Sequence, residues 1–238
     1  MSHPVDGNLW ARRIAYCCVV LVSLVGLFDV VFYYYLFFPS EIISRSFNIA
    51  AEESFGTWVS TSLALLTGLT GLLKSKAVSA RAGLQAALPW LAIAAFFLFI
   101  SFDDAAKFHE RVGSAFQYKI EDISGQELAS WFPSWGWQLY VAPFFAAMGL
   151  WLCWFFFREL STKQWRIAFV GLVFFGCAVG LDFVEGVIDR EIYDVHFLRL
   201  AEEMLEMFGQ TAFFFVLMST LSDDVTLDIQ ITRPTSNR

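Results

Sequence analysis

The sequence predicts an all-α protein, a polytopic transmembrane helical bundle of six spans with both termini cytoplasmic. Composition is the first observation behind that prediction: 57% of the 238 residues are hydrophobic and only 16% are charged, against about 45–50% and 25% in soluble domains. The second is that the apolar residues fall in separate runs, several of them near the roughly 20 residues a helix needs to cross a bilayer core. Helices meet the further demand that every backbone polar group be satisfied within the hydrocarbon.

The first run covers residues 14–38 and follows Arg12 and Arg13. It is too long for the apolar region of a signal peptide and no small-residue cleavage site follows it, so it reads as a retained first helix. The second, 55–73, begins after "AEES" and stops before "KSKAVSAR". The third, 89–108, opens on Pro89, which a first helical turn accepts without losing a needed hydrogen bond. Asp103 and Asp104 then fall in its last turns. The fourth and fifth, 137–157 and 167–184, are joined by the short "RELSTKQWR" and must be antiparallel neighbours. The sixth, 201–221, carries Glu202, Glu203 and Glu206 in its first two turns.

Lys and Arg orient these spans, because cytoplasmic loops carry the basic excess. With the N-terminus inside, the inner stretches hold ten of the 16 basic residues, and the short inner loops are where the bias is cleanest. A bacterial inner membrane is the simplest placement. The acidic residues sort more sharply, with 17 of 23 on the outer side. The positive-inside rule does not require that, since Asp and Glu contribute little to orientation.

The formal net charge is -7 and no basic tract is present, which excludes nucleic acid as a partner on electrostatic grounds. Membrane lipid is the expected partner, with other membrane-protein subunits as a further one. The four cysteines, Cys17, Cys18, Cys153 and Cys177, lie inside apolar runs with no CxxC pair and read as reduced packing thiols.

Four predicted spans bring acids to similar depth: Glu52 and Glu53, then Asp103, Asp104 and Glu110, then Asp182 and Glu185, then Glu202, Glu203 and Glu206. Two of the three histidines, His109 and His196, accompany them. Helical periodicity places Asp182 with Glu185 on one face and His196, Glu203 and Glu206 on another. A partly buried carboxylate needs a cation, a proton or several donors to offset lost hydration. Three readings follow: interfacial ion pairs with Lys107, Arg111, Arg190 and Arg199, a bound divalent metal, and a proton or organic-cation site. His and carboxylate together suit zinc, iron or manganese.

The expected metal ligands are His109, His196, Asp104, Asp182, Glu185, Glu203 and Glu206. Glu53, Asp104 and Glu185 are the expected catalytic carboxylates, which would move a proton for metal-activated water. The functional expectation is a membrane-embedded divalent-metal-binding protein, an enzyme on a lipid or lipid-soluble substrate at the outer interface. An accessory subunit of a larger membrane complex and a small cation or proton transporter are the alternatives. The spacing carries no HExxH and no paired ExxH. On a continuous helix His109 would share no face with Asp103 or Glu110.

Asp29 is the one charge well inside the first span, and such a residue faces protein or water. Between Arg111 and Gly136, Ser124 and Glu127 suggest a capping box for a short interfacial helix over 125–132. Trp131, Trp135 and Trp137 read as an aromatic belt. Small residues recur at Ser60/Ala64/Gly68, Ala142/Ala146 and Gly176/Gly180, where neighbouring backbones can approach.

Overall fold

The computed structural model describes residues 7–35, 45–49, 51, 53–125, 134, 136–188 and 195–232. The described residues are helical almost throughout. Helix α1 (Gly7–Val30) runs on into a π-helical turn, Val31–Tyr35. It is followed by α2 (Phe55–Ala82), α3 (Leu84–Ala106), α4 (Phe108–Ser124), α5 (Gln138–Glu159), α6 (Thr162–Val187) and α7 (His196–Thr232). Six of them are long and apolar enough to cross a membrane, all but α4. The expected helix over 125–132, with Trp131 and Trp135, falls almost entirely outside the described residues.

Helix α7 is the hub, packing on α1, α2 and α6, while α2 packs along α3 and α5 stands on the margin beside α6. One core lies between α3, α5, α6 and α7, where Phe97, Phe156 and Phe213 are fully buried and Phe97 and Phe213 stand 5.2 Å apart. A second joins α1, α2 and α7 through Val22, Val59, Leu63 and Met207. On the outward faces, large apolar side chains such as Val20, Leu66 and Val173 stay exposed. A hydrocarbon solvent removes the cost that water would impose on such a surface.

Close approaches fix these contacts. A Cβ on Gly68 would meet Leu98 at 2.7 Å, and one on Gly209 would stand 3.2 Å from the Gly171 carbonyl. The expected pair Gly176 and Gly180 has nothing within 4 Å of such a Cβ, so that small-residue interval serves no contact within the described chain.

Charged residues carry helix α2 beyond its apolar run. Helix α2 continues past Leu73, where its apolar run stops, because Lys74 is not released to water: its Nζ donates to Asp224 at 2.6 Å and to the Thr220 carbonyl at 3.2 Å, and lies 4.9 Å over the Trp90 ring. Arg81 pairs with the same carboxylate at 3.1 Å. Gly83, at φ 84, then stops the helix in a conformation open to glycine. Helix α3 therefore begins at Leu84, and Pro89 sits in its second turn rather than its first. Asp223 accepts from Asn8 at 3.0 Å and from Gln164 at 3.1 Å. These contacts collect the start of α1, the end of α2, the start of α6 and the end of α7 at one end of the bundle, here called the basic end. The acidic clusters lie at the opposite end.

The positive-inside rule predicts that the basic end is the cytoplasmic one. A single cysteine placed at Lys76 in a cysteine-free background is expected to react with a membrane-impermeant maleimide only after the cytoplasmic side is opened. Labelling from the outside of intact cells would invert the orientation.

Candidate functional site

The acidic site begins with a break in the "SFDDAAKFHE" segment. Lys107 takes a left-handed conformation, φ 50 and ψ 43, between α3 and α4. The change of direction lets the Asp103 carboxylate receive both the His109 backbone N–H at 2.8 Å and its ring Nδ1 at 2.6 Å. The expectation that His109 shares no face with Asp103 held only for a continuous helix, and the break corrects it. Asp103 thus satisfies a donor that the start of α4 leaves unpaired. It also orients the imidazole, with Nδ1 as the donor to the carboxylate.

Helix α4 is amphipathic. His109, Glu110, Ser114 and Gln117 face a cavity, and the opposite face exposes Phe108, Phe116 and Ile123. Gly113 presses α4 against the residue preceding α5: a Cβ there would lie 2.1 Å from the Cβ of Trp137 and 2.5 Å from its Cα. Trp137 in turn stands 4.5 Å from the His109 ring.

The cavity measures about 530 Å³ and lies between α3, α4, α5, α6 and α7. From α3, Asp104 accepts the Thr61 hydroxyl of α2 at 3.0 Å. From α6 come Asp182, which accepts Gln138 Nε2 at 2.8 Å, and Glu185, which pairs with Arg199 at 2.7 Å. Helix α7 contributes Glu202, Glu203 and Glu206. Lys107 and Arg199 are the basic residues on the wall, and each already faces a carboxylate, Lys107 with Glu110 at 3.4 Å and Arg199 with Glu185. Asp104, Asp182, Glu202, Glu203 and Glu206 have no ion pair with a basic residue among the described residues.

The polarity of the wall changes with depth. On α3, Ile100 lines the cavity one turn farther into the bundle than Asp104; on α6, Phe175 and Val179 lie inward of Asp182; on α5, Ala142 and Phe145 lie inward of the Trp137 end. Two buried amides stand behind the acids. Gln138 donates to Asp182, and Gln210 on α7 donates to Ser60 at 3.2 Å, while the Oε1 atom of each is buried with no partner.

The predicted site residues divide accordingly. Asp104, His109, Asp182, Glu185, Glu203 and Glu206 line one cavity, whereas Glu53 is exposed in the turn before α2 and takes no part in it. His196 is also elsewhere: its Nε2 pairs with the fully buried Asp29 at 2.7 Å, and its ring stacks on Tyr33 at 3.6 Å. The other Asp29 oxygen accepts the Ile49 N–H at 2.6 Å. Among the described residues, no group of three or more His, Cys, Asp and Glu side chains is disposed to hold a metal ion. Glu202 and Gln138 are wall or supporting residues that helical periodicity did not select. Adjacent Glu202 and Glu203 both reach the cavity because it is broad, and Gln138 carries no charge to mark it.

A six-span helical membrane protein with an acidic cavity between its helix ends is the class these features define. Its sequence matches the family model Domain of unknown function (DUF8692) over residues 14–221, and the chain belongs to that family. Comparisons with curated proteins and with solved structures gave no match.

Proposed function

We propose that the chain is a cation-binding membrane protein whose ligand occupies the acidic cavity. The observation that supports this reading is the set of five carboxylates, from three different spans, that converge on one cavity without a basic partner among the described residues. Carboxylates held together away from bulk water repel one another and favour a cation or shared protons between them. The positive-inside pattern makes this the outer face, and a bacterial inner membrane would turn it toward the periplasm.

Two kinds of cation match these donors. A divalent metal would find carboxylate oxygens together with His109 Nε2, whose ring is oriented by Asp103 as the partners of metal-bound histidines commonly orient theirs. Since no ligand group is already disposed around an ion, the carboxylates would have to close inward to hold zinc, iron or manganese. An organic ammonium would instead fill more of the space. Of the three carboxylates expected to move a proton, Asp104 lies on the cavity without an ion pair among the described residues, whereas Glu185 is engaged by Arg199 and Glu53 lies outside the cavity.

The test uses the full chain in nanodiscs, prepared without chelator or metal-affinity tag after expression with zinc, iron and manganese. Elemental analysis is followed by titration with Zn²⁺, Mn²⁺ and a series of alkylamines. The double variant Asp182→Asn/Glu206→Gln is expected to lose about tenfold or more in cation affinity, the scale of one charge-assisted hydrogen bond, while Glu53→Gln binds like the unmodified chain. Failure of every metal ion and amine to bind, or equal binding by the double variant, would sink the proposal.

A further inference from the structure

We infer that the ligand of this cavity is an amphiphilic primary ammonium, with its head among the carboxylates and its hydrocarbon tail directed into the bundle. The inference rests on the cation-binding reading and names the ligand within it. A cavity of about 530 Å³ lies in the range that encloses an organic molecule rather than a bare ion. Its wall is not uniformly acidic. On three helices the polar lining lies at the acidic end, and Ile100, Phe145 and Phe175 continue the wall one to two turns deeper. Water or a hydrated ion gains nothing from that deeper part, whereas each methylene buried there tightens binding.

Two buried amides stand beside the acids without lining the cavity themselves. Gln138 is 5% exposed and Gln210 is 0% exposed. Each gives its N–H to an oxygen, Gln138 to cavity-lining Asp182 and Gln210 to Ser60, and each keeps an Oε1 with no donor. The amide of Gln138 cannot be reversed at no cost, since its oxygen would then face the Asp182 carboxylate. Five carboxylates without an ion pair among the described residues make the wall rich in unmatched acceptors. A primary ammonium presents three N–H donors and no acceptor, while a quaternary ammonium presents none.

The two faces of α4 fit the same ligand. The polar face of α4 forms part of the cavity wall, and its other face exposes Phe116 and Ile123. Phe108 at its start lies 6.4 Å from Phe99 and 5.9 Å from the exposed Phe102 on α3. The apolar face of α4 thereby continues the lipid-facing surface of α3, in the manner of an interfacial amphipathic helix. An amphiphile in the outer leaflet already has its charged head and its tail at the matching depths.

The experiment measures binding of decylamine to the full chain in zwitterionic nanodiscs, with decanol, decyltrimethylammonium and ethylamine as comparators and empty discs to subtract partitioning. Decylamine is expected to bind at least about tenfold more tightly than each comparator. Glu206→Gln should abolish the preference over decanol, and Phe175→Ala should weaken decylamine but not ethylamine. Asp182→Asn, which keeps an acceptor for Gln138, serves as a second charge variant should Glu206→Gln unfold. Binding of Zn²⁺ or Mn²⁺ without any preference for decylamine would overturn this inference and leave the cation-binding reading standing. Absence of both would overturn the two together. Equal binding of decylamine and decyltrimethylammonium would defeat the donor argument.

Discussion

Replacing His196 with alanine is expected to destabilise the protein by about 1–3 kcal/mol or more, the usual cost of leaving a buried hydrogen-bonding group without its partner. Asp29 is fully buried, and His196 Nε2 at 2.7 Å is its side-chain partner, with the Ile49 N–H at 2.6 Å on its other oxygen. Loss of the imidazole also removes the ring stacked on Tyr33 at 3.6 Å. The remaining carboxylate would be held in the bundle with a single backbone donor, which does not offset its lost hydration. Denaturation in detergent micelles should therefore rank His196→Ala below Asp29→Asn. The double variant should recover part of the loss, because it removes the charge along with its partner. A midpoint for His196→Ala equal to that of the unmodified chain would show that the pair contributes nothing to stability. The pair ties the first span to the start of the sixth, so cavity residues on α7 should move with it.

The spans were legible because the bilayer imposes a length and a polarity on each of them, and neither depends on knowing the partners. Their ends were not, since Lys74 ends an apolar run in the sequence yet continues the helix by pairing with Asp224. Convergence of Asp104, Asp182, Glu203 and Glu206 was legible from depth and from the scarcity of nearby cations. The placement of His196 was not. Its helical register matched Glu203 and Glu206, but the buried carboxylate of Asp29 on another span competes for it, and no local pattern reports a contact across 167 residues. His109 depended on a left-handed residue at Lys107, a conformation that a lysine codon does not advertise. Helix α4 escaped notice for a different reason. A helix lying half in water and half on apolar surface has too few apolar residues for a span, and its stripe of Phe108, Val112, Phe116 and Ile123 is interrupted by Lys119.

Gly113 offers the most direct way to separate that helix from the site. Its Cβ, if present, would stand 2.1 Å from the Cβ and 2.5 Å from the Cα of Trp137, distances that no rotamer change can relieve because neither atom lies beyond the backbone and its first carbon. The Gly113→Val variant must therefore part α4 from the start of α5, at an overpacking cost of about 1–3 kcal/mol or more. Helix α4 carries His109 and Glu110 into the cavity, so the displacement should open that wall and reduce cation affinity at least about tenfold. The core beneath, built on Phe97, Phe156 and Phe213, does not include α4 and should hold the bundle together. Gly149→Ala is the matching control, since a Cβ there meets nothing within 4 Å and alanine favours the helix. Binding titrations on both variants, alongside a cysteine-accessibility scan of Ser114 and Gln117, decide the matter. If Gly113→Val bound cations as tightly as Gly149→Ala, with Ser114 and Gln117 no more reactive than before, α4 would have no part in the site.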